Sequence, residues 1–156
     1  MRRPVADGVL HTIEFEVSRN ADDETQLEPV VDGTPLRDLV GTFEREHGYE
    51  PAGSYAGLVA ELFSYGDLGK YMTGRERKLR SRARHAWLLG CECGGVGCWP
   101  LEARIGVTDA TITWSRFRQP HRPKWKYEGF GPFTFERAQY EAAIAEAVRA
   151  LRDGGL

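Results

Sequence analysis

The sequence predicts an α+β fold, in which a mainly antiparallel sheet is joined by a long C-terminal helix and one or two further helices. Three observations predict it. Apolar and polar residues alternate over 10–18, which is typical of a half-buried strand. Apolar residues recur at helical spacing after Thr34-Pro35 and again after Thr134. A turn at Thr108-Asp109 separates two apolar runs, which indicates a hairpin.

The predicted elements follow one another as β-β-α-(α)-β-β-β-α. Strand 10–18 precedes a short strand 29–31 and the turn Asp32-Gly33. A helix runs from Thr34-Pro35 to Gly48, with its apolar stripe at Leu36, Leu39, Val40 and Phe43, and a short helix around 55–63 leads into an irregular loop that reaches Thr73. Strands follow at 86–90, 99–107 and 110–119; then come a proline-interrupted loop at 120–125, a turn at 129–132 and the last helix, which Thr134 caps and Gly154-Gly155 ends.

The length and composition predict one globular domain, 1–156. Hydrophobic residues make up 41% of the chain and charged residues 28%, which are ordinary values for a folded protein. No apolar run approaches the ~20 residues that cross a bilayer, so no membrane partner is expected. Basic residues near the N-terminus have no apolar segment behind them, which argues against a signal peptide and favours the cytoplasm.

The charge is unevenly distributed, although the formal net charge is only −2. Residues 14–50 hold eleven acids and three bases, a balance of −8, whereas 75–85 and 116–126 each have a balance of +5. One interpretation is a folded surface on which these segments neutralise one another. The other is a basic face for an anionic partner.

All three cysteines lie between residues 86 and 101, in the spacing Cys-x-Cys-x4-Cys formed by Cys91, Cys93 and Cys98. Structural zinc often takes three cysteines and one histidine, so this glycine-rich stretch predicts a zinc site. A two-residue turn at Thr108-Asp109 would bring Cys98 opposite Gln119 and residue 96 opposite His121. His121 is therefore the predicted fourth ligand, whereas His85 should lie at the far end of its strand.

Two other interpretations of the cysteines stay open. The cysteines could be reduced structural or redox-sensitive thiols beside Trp99. A catalytic thiolate fits less well, because no helix N-terminus follows the cysteines to lower the pKa of a thiol. The chain has no thioredoxin-type Cys-x-x-Cys, P-loop, His-Glu-x-x-His or Gly-x-Ser-x-Gly, and Gly94–Gly97 is not followed by a helix that could bind a dinucleotide.

Several segments carry a resemblance to a known family. They are Gly53-Ser54-Tyr55-Ala56-Gly57-Leu58, the Cys-x-Cys-Gly-x-x-Gly-Cys-Trp-Pro-Leu motif within 88–105, Trp114, Phe117, Gln119-Pro120-His121-Arg122, Trp125, Tyr127, Phe130-Gly131-Pro132-Phe133, Phe135 and Gln139-Tyr140. In these the chain resembles an uncharacterised family of small bacterial proteins that is common in actinobacteria. The resemblance covers about the last two-thirds of the chain and implies no activity.

These observations favour a non-enzymatic binding or accessory protein whose partner is another protein. Its predicted binding surface combines the cysteine loop with Trp99, Gln119, Arg122 and Trp125, because Trp and Arg are frequent interface anchors. One alternative is a nucleic-acid-binding protein that uses the basic segments 75–85 and 116–126, with Trp125 or Phe117 stacking on bases. The other is a metal- or thiol-dependent enzyme at the cysteine loop.

Overall fold

The computed structural model describes residues 9–59, 67–75, 84–93 and 98–153, which form nine strands and three helices. This confirms the α+β class, its antiparallel sheets and its long C-terminal helix. The strands are β1 (Ile13–Arg19), β2 (Thr25–Val31), β3 (Thr34–Pro35), β4 (Tyr55–Ala56), β5 (Leu58–Val59), β6 (His85–Cys91), β7 (Leu101–Val107), β8 (Thr111–Arg118) and β9 (Phe133–Glu136); the helices are α1 (Leu36–Glu46), α2 (Leu68–Tyr71) and α3 (Arg137–Asp153).

The strands divide between two antiparallel sheets. In the first, β2 pairs with β1 on one side and with β3 and β5 on the other. The second has the order β4-β6-β7-β8-β9. The strands β6, β7 and β8 are consecutive antiparallel neighbours. The last residues of β6, the first residues of β7 and the last residues of β8 therefore lie at the same end of this sheet.

One cluster of buried side chains joins both sheets and the helices. Trp114 of β8 lies at its centre, in edge-to-face contact with Phe135 and Tyr140, whose ring centroids are 5.0 and 6.1 Å away. The Trp114 indole also donates a 2.9 Å hydrogen bond to the Tyr140 hydroxyl, which in turn donates to the Met72 carbonyl at 2.6 Å. The polar ends of these buried rings are therefore satisfied, as burial requires.

The predicted helix around 55–63 is wrong over residues 55–59, where the chain forms β4 and β5 instead. Gly57 explains the difference, because a Cβ atom there would lie 2.8 Å from the Leu27 carbonyl oxygen. The glycine lets this segment approach β2 closely and pair with it. Residues 60–63 lie outside the described residues, as do Gly94–Gly97, the basic stretch 76–83 and the predicted helix end at Gly154-Gly155.

A further prediction is wrong at the end of the second sheet. The last helix begins at Arg137 rather than Thr134, because Phe133–Glu136 pairs with β8 as a strand. In β8, Trp114 and Phe117 are both buried, although strict alternation along a strand would place them on opposite faces. Arg116 has φ +52 and the pairing register shifts there, so a β-bulge turns Phe117 back into the core.

Candidate functional site

The residues predicted to form the site converge at one end of the five-stranded sheet. Cys91 is the last residue of β6, Trp99 and Pro100 directly precede β7, and Gln119 directly follows β8. Tyr55 of β4 pairs with Cys91 and brings a fourth strand to the same place. His85 lies at the opposite end of β6, as the sequence predicts.

The three cysteines are thiols that lie close together. Cys91 is half-buried, whereas Cys93 and Cys98 are exposed, and the Cys93 N–H donates a 3.3 Å hydrogen bond to Cys91 Sγ. Burial, together with hydrogen bonding to Cys93, raises the pKa of Cys91 to about 11. Hydrogen bonding to Cys93 also raises the pKa of Cys98. Protonated thiols are poor nucleophiles, which argues against a catalytic thiolate at Cys91 or Cys98.

The zinc site stays a prediction. Within the described ranges, no three or more His, Cys, Asp or Glu side chains are arranged so that they could hold a metal ion. Val107 opposes Ile112 rather than Ala110, because the hairpin turn spans four residues instead of two. The predicted pairing of Cys98 with Gln119 is thereby shifted along the hairpin. The His121 ring lies parallel to Trp99, with centroids 6.3 Å apart.

Beside the cysteines, five side chains form what we call the aromatic–arginine patch: Tyr49, Trp99, His121, Arg122 and Trp125. The two indoles are nearly perpendicular, at 81° and 5.8 Å between centroids. The Arg122 guanidinium carbon lies 5.0 Å from the centroid of Trp99 and 6.0 Å from that of Trp125. Tyr49 stacks on Trp125 at 4.7 Å and 8°. The patch therefore holds a cation in the corner between two indole rings.

Two consecutive turns shape the loop that carries the patch. The Arg122 N–H donates to the Gln119 carbonyl at 2.9 Å, and the Trp125 N–H donates to the Arg122 carbonyl at 3.0 Å. Pro120 and Pro123 occupy the second position of these turns, where the fixed φ of proline is favoured. Tyr49 lies just after the end of α1, and its hydroxyl accepts a 2.9 Å hydrogen bond from the Lys126 N–H. This bond connects the loop to the segment that follows α1. The proline spacing in the sequence thus determines where Arg122 and Trp125 project.

Below the patch, Gln119 is a buried connector that is only 1% exposed. Its amide nitrogen donates to the Pro100 carbonyl at 3.0 Å and to the Tyr55 hydroxyl at 3.1 Å. Its amide oxygen accepts from the His121 N–H at 3.1 Å. Trp99 is also buried, at 8% exposed, whereas Trp125 is half-buried and Arg122 exposed. The predicted surface is therefore formed by Arg122 and Trp125 and supported from below by Trp99 and Gln119.

The connector leads to a buried carboxylate, Glu44 of α1, which is 0% exposed. Its oxygens accept hydrogen bonds from the Gly53 N–H at 2.8 Å, the Tyr55 hydroxyl at 2.7 Å and the Tyr127 hydroxyl at 2.5 Å. Burial, and then the neighbouring Glu44 charge, raises the pKa of Tyr55 well above its usual range. Burial and the nearby Tyr55 raise the pKa of Tyr127 in the same direction. These hydroxyls therefore remain donors to the carboxylate.

The role of this carboxylate is not among the predictions from the sequence, although a signal for it exists. Leu36, Val40 and Glu44 follow one another at intervals of four, so Glu44 lies on the buried face of α1. A buried acid on that face needs hydrogen-bond donors, and a tyrosine hydroxyl is one of the side-chain groups that can supply them. Nothing in the local sequence could indicate that Tyr127, 83 residues away, supplies one of them.

The basic segments are only partly described. Arg75 and Arg84 are exposed at the borders of the stretch 76–83. In the second segment, Arg116, Arg122, Lys124 and Lys126 are exposed, while the half-buried Arg118 lies 3.5 Å from the buried Glu102 carboxylate. Most of the second segment's positive charge is thus at the surface, and Arg122, Lys124 and Lys126 lie on the loop that carries the patch.

Comparisons with protein-family models, curated proteins and solved structures gave no match. The resemblance to small bacterial proteins therefore stays a prediction. Among the described residues, no helix is both long enough and apolar enough to cross a membrane.

Proposed function

We propose that this chain is a non-enzymatic binding module that captures an acidic segment of a partner protein at the aromatic–arginine patch. The observation that carries the proposal is the position of Arg122, whose guanidinium lies over both Trp99 and Trp125. The partner's carboxylate would accept hydrogen bonds from this guanidinium, and its neighbouring side chains would cover the exposed edge of Trp125.

The guanidinium is both oriented and available. Its Nη1 donates to the His121 carbonyl at 2.9 Å, and its other N–H groups have no acceptor in the part of the chain that the structure describes. Stacking on aromatic rings fixes the plane of an arginine, so less side-chain entropy is lost when it binds a carboxylate with two hydrogen bonds. Arginine and tryptophan are also the residues that most often dominate binding energy at protein interfaces.

The charge around the patch determines the chemistry of the partner. Lys124 and Lys126 are exposed on either side of Trp125, and Arg122 lies on the same loop. No acidic residue occurs between 116 and 126. A cationic patch of this kind accelerates association with an acidic segment and disfavours a basic one.

One observation supports a binding role over general-base catalysis at the buried acid. Each Glu44 oxygen already accepts a short hydrogen bond and the carboxylate is buried, so it is in no position to act as a general base on a substrate.

Nucleic acid is the competing ligand for the same positive charge. Single-stranded binding needs aromatic faces on which bases can stack. Here Tyr49 already stacks on Trp125, and His121 lies parallel to Trp99. The rings are engaged within the protein, while the arginine edge is available, which favours a carboxylate partner.

The test compares labelled peptides rich in Asp and Glu with the same peptides carrying Asn and Gln, and with single-stranded RNA and DNA of equal charge. Binding is measured by fluorescence anisotropy against wild type and Arg122→Gln. We expect the acidic peptides to bind, and the variant to weaken binding by about tenfold or more, because a charge-assisted pair is worth ~1.5–3 kcal/mol. Arg152→Gln removes an exposed arginine of α3 and should leave the affinity unchanged.

Preferential binding of the oligonucleotides would overturn the proposal in favour of the nucleic-acid alternative. Equal loss of peptide affinity in Arg122→Gln and Arg152→Gln would show that net charge, and not the patch, is recognised. Binding of the Asn/Gln peptides as tightly as the acidic ones would remove the carboxylate from the mechanism.

A further inference from the structure

A second binding surface lies on the first sheet, where β1 is an edge strand. Within the described residues β1 pairs with β2 alone. The Asp32 N–H donates to the Thr12 carbonyl at 3.0 Å, so even-numbered residues direct their backbone groups towards β2. Pro29 lies opposite Phe15 and has no N–H to donate, which agrees with this register. The backbone N–H and C=O groups of Ile13, Phe15 and Val17 therefore face away from the sheet.

The described residues cover the first part of this edge and leave the rest open. The His11 N–H donates to the Thr134 carbonyl at 2.7 Å. The Gln139 side chain accepts from the Ile13 N–H at 3.1 Å and donates to the Ile13 carbonyl at 2.8 Å, so its amide imitates the peptide group of a neighbouring strand. No described residue provides such a partner for Phe15 or Val17. As far as the structure describes the chain, their backbone groups continue the same hydrogen-bonding row without a partner.

The open edge borders a groove of about 370 Å³ between β1 and α3. Phe15 of β1 and Ala142 and Ala143 of α3 line it. The small alanine side chains leave room beside the strand for a second backbone and for short apolar side chains. A groove between an edge strand and a helix is a common geometry for binding an extended peptide as an added strand.

Acidic side chains surround this groove. Glu14, Glu16 and Glu146 all line it. Glu146 forms an ion pair with Arg149, whereas Glu14 and Glu16 are exposed and have no cationic partner in the described residues. A second copy of this chain is a poor occupant, because antiparallel pairing of two β1 strands about Phe15 would place Glu14 opposite Glu16. A basic segment would be complementary.

We propose that an extended, basic segment of a partner protein binds along β1 as an additional strand, in the groove beside α3. Its backbone would hydrogen-bond to the N–H and C=O groups of Phe15 and Val17. Its apolar side chains would lie on Ala142 and Ala143, and its Lys or Arg side chains would pair with Glu14 and Glu16. This surface is separate in charge and chemistry from the aromatic–arginine patch, and the proposal does not depend on it.

The experiment uses the full chain and a capped peptide of alternating Lys and Val, about eight residues long. Amide hydrogen exchange and amide chemical shifts report on each residue of β1. We expect the peptide to slow exchange at Phe15 and Val17 by about tenfold or more, because these amides gain a hydrogen-bond partner. Two control peptides should give no protection of these amides. One carries N-methyl groups on alternate residues and cannot form the strand hydrogen bonds, and the other has Glu in place of Lys.

Matched variants test the charge. Glu16→Lys should lower the affinity for the Lys-Val peptide by about tenfold and allow the Glu-Val peptide to bind. Glu46→Lys makes the same change on an exposed position of α1 and should do neither. Absence of protection at Phe15 and Val17 with the Lys-Val peptide would overturn the proposal. Protection that rises with protein concentration in the absence of peptide would also overturn it, in favour of a second copy.

Discussion

The Tyr127 hydroxyl donates a 2.5 Å hydrogen bond to the Glu44 carboxylate, although 83 residues separate them in the chain. This contact joins α1 to the loop that follows the aromatic–arginine patch. The Tyr55 hydroxyl donates to the same carboxylate oxygen and accepts from the Gln119 amide nitrogen. The Gln119 amide oxygen in turn accepts from the His121 N–H. The buried acid therefore stabilises the fold and orients the patch through a continuous chain of hydrogen bonds.

Removing the Glu44 charge should destabilise the protein strongly. Glu44→Gln replaces the carboxylate by a neutral amide with one acceptor oxygen, which cannot accept from the Gly53 N–H on one side and from both tyrosine hydroxyls on the other. Hydrogen bonds to charged groups are worth about 1.5–3 kcal/mol each. We expect the free energy of unfolding to fall by about 3 kcal/mol in urea titrations. Tyr127→Phe should cost less, about 1.5–3 kcal/mol, because Tyr55 still donates to the carboxylate.

A double-mutant cycle separates the network from its parts. If Glu44 and Tyr127 interact as described, the loss in Glu44→Gln/Tyr127→Phe should be smaller than the sum of the single losses. Additive losses would mean that the two residues stabilise the protein independently. Tyr49→Phe is the control, since its hydroxyl contacts the Lys126 backbone rather than the acid.

Alkaline pH should destabilise the fold through Tyr55 and Tyr127, the two tyrosines that donate to Glu44. Burial raises the pKa of both Tyr55 and Tyr127, and an unfolded tyrosine ionises near pH 10. Their contribution to stability is complete below pH ~10 and is lost progressively above it, because only the unfolded state then releases these protons. Phenolate absorbance at these positions should therefore appear together with unfolding; a gradual appearance in folded protein would contradict this.

The two indoles of the patch should differ in their effect on stability. Trp99 is buried and contacts Tyr55, so Trp99→Ala should lower the free energy of unfolding by ~3–5 kcal/mol. Trp125 is half-buried, so Trp125→Ala should lower the free energy of unfolding by only about 1 kcal/mol. The same substitution should weaken the binding of the acidic peptides. Thermal unfolding and peptide anisotropy measure the two effects. A loss of stability in Trp125→Ala equal to that in Trp99→Ala would assign both rings to the core.

The sequence was informative where a single periodic pattern operated. The alternation that gave β1 and the apolar stripe of α1 both appear in the structure, with boundaries moved by one to three residues. The strand β2 was predicted too short, because Gln26 and Glu28 interrupt its apolar run. Glu28 is tolerated in this interior strand because it forms an ion pair with Arg37 of α1, a contact that local sequence does not reveal.

The site was harder to predict because its geometry depends on register. The cysteines, Gln119 and Trp99 do meet at one end of the sheet, since β6, β7 and β8 are neighbours there. The predicted opposition of Cys98 and Gln119 required a two-residue turn, and the Thr108 side chain stabilises a longer one by accepting from the Thr111 N–H at 2.9 Å. The bulge at Arg116 shifts the register further. One extra residue in a hairpin changes which side chains are opposed.

The cysteine spacing predicts one zinc ion per chain, bound by Cys91, Cys93 and Cys98. Elemental analysis of untagged protein should then find one equivalent, and the three thiols should react only after denaturation. Each Cys→Ser variant should lose zinc, and His121→Ala should weaken zinc binding if its imidazole is the fourth ligand. Metal-free protein whose thiols titrate freely would end the zinc prediction. Cobalt substitution gives a further readout through its thiolate absorption.

The turn between β2 and β3 should make the protein sensitive to acid. Asp32 accepts from the Thr12 N–H at 2.8 Å and lies 2.6 Å from His11 Nδ1. Although its slight burial opposes the effect, these contacts hold the pKa of Asp32 below its ordinary value of 3.8. The stabilisation is therefore present above pH ~4 and disappears as the pH falls through the lowered folded-state pKa. Because the carboxylate is half-exposed, it should amount to less than about 1 kcal/mol.

Asp32→Asn isolates the charge, because asparagine also tolerates the left-handed backbone that Asp32 adopts at φ +52 and can still accept from the Thr12 N–H. We expect wild type to be more stable than this variant in urea titrations at about pH 6, and the difference to shrink as the pH is lowered below about 4. Asp32→Ala should lose a further ~1 kcal/mol across this pH range, since alanine neither accepts a hydrogen bond nor favours this φ. A difference between wild type and Asp32→Asn that does not change with pH would show that the carboxylate charge does not stabilise the turn.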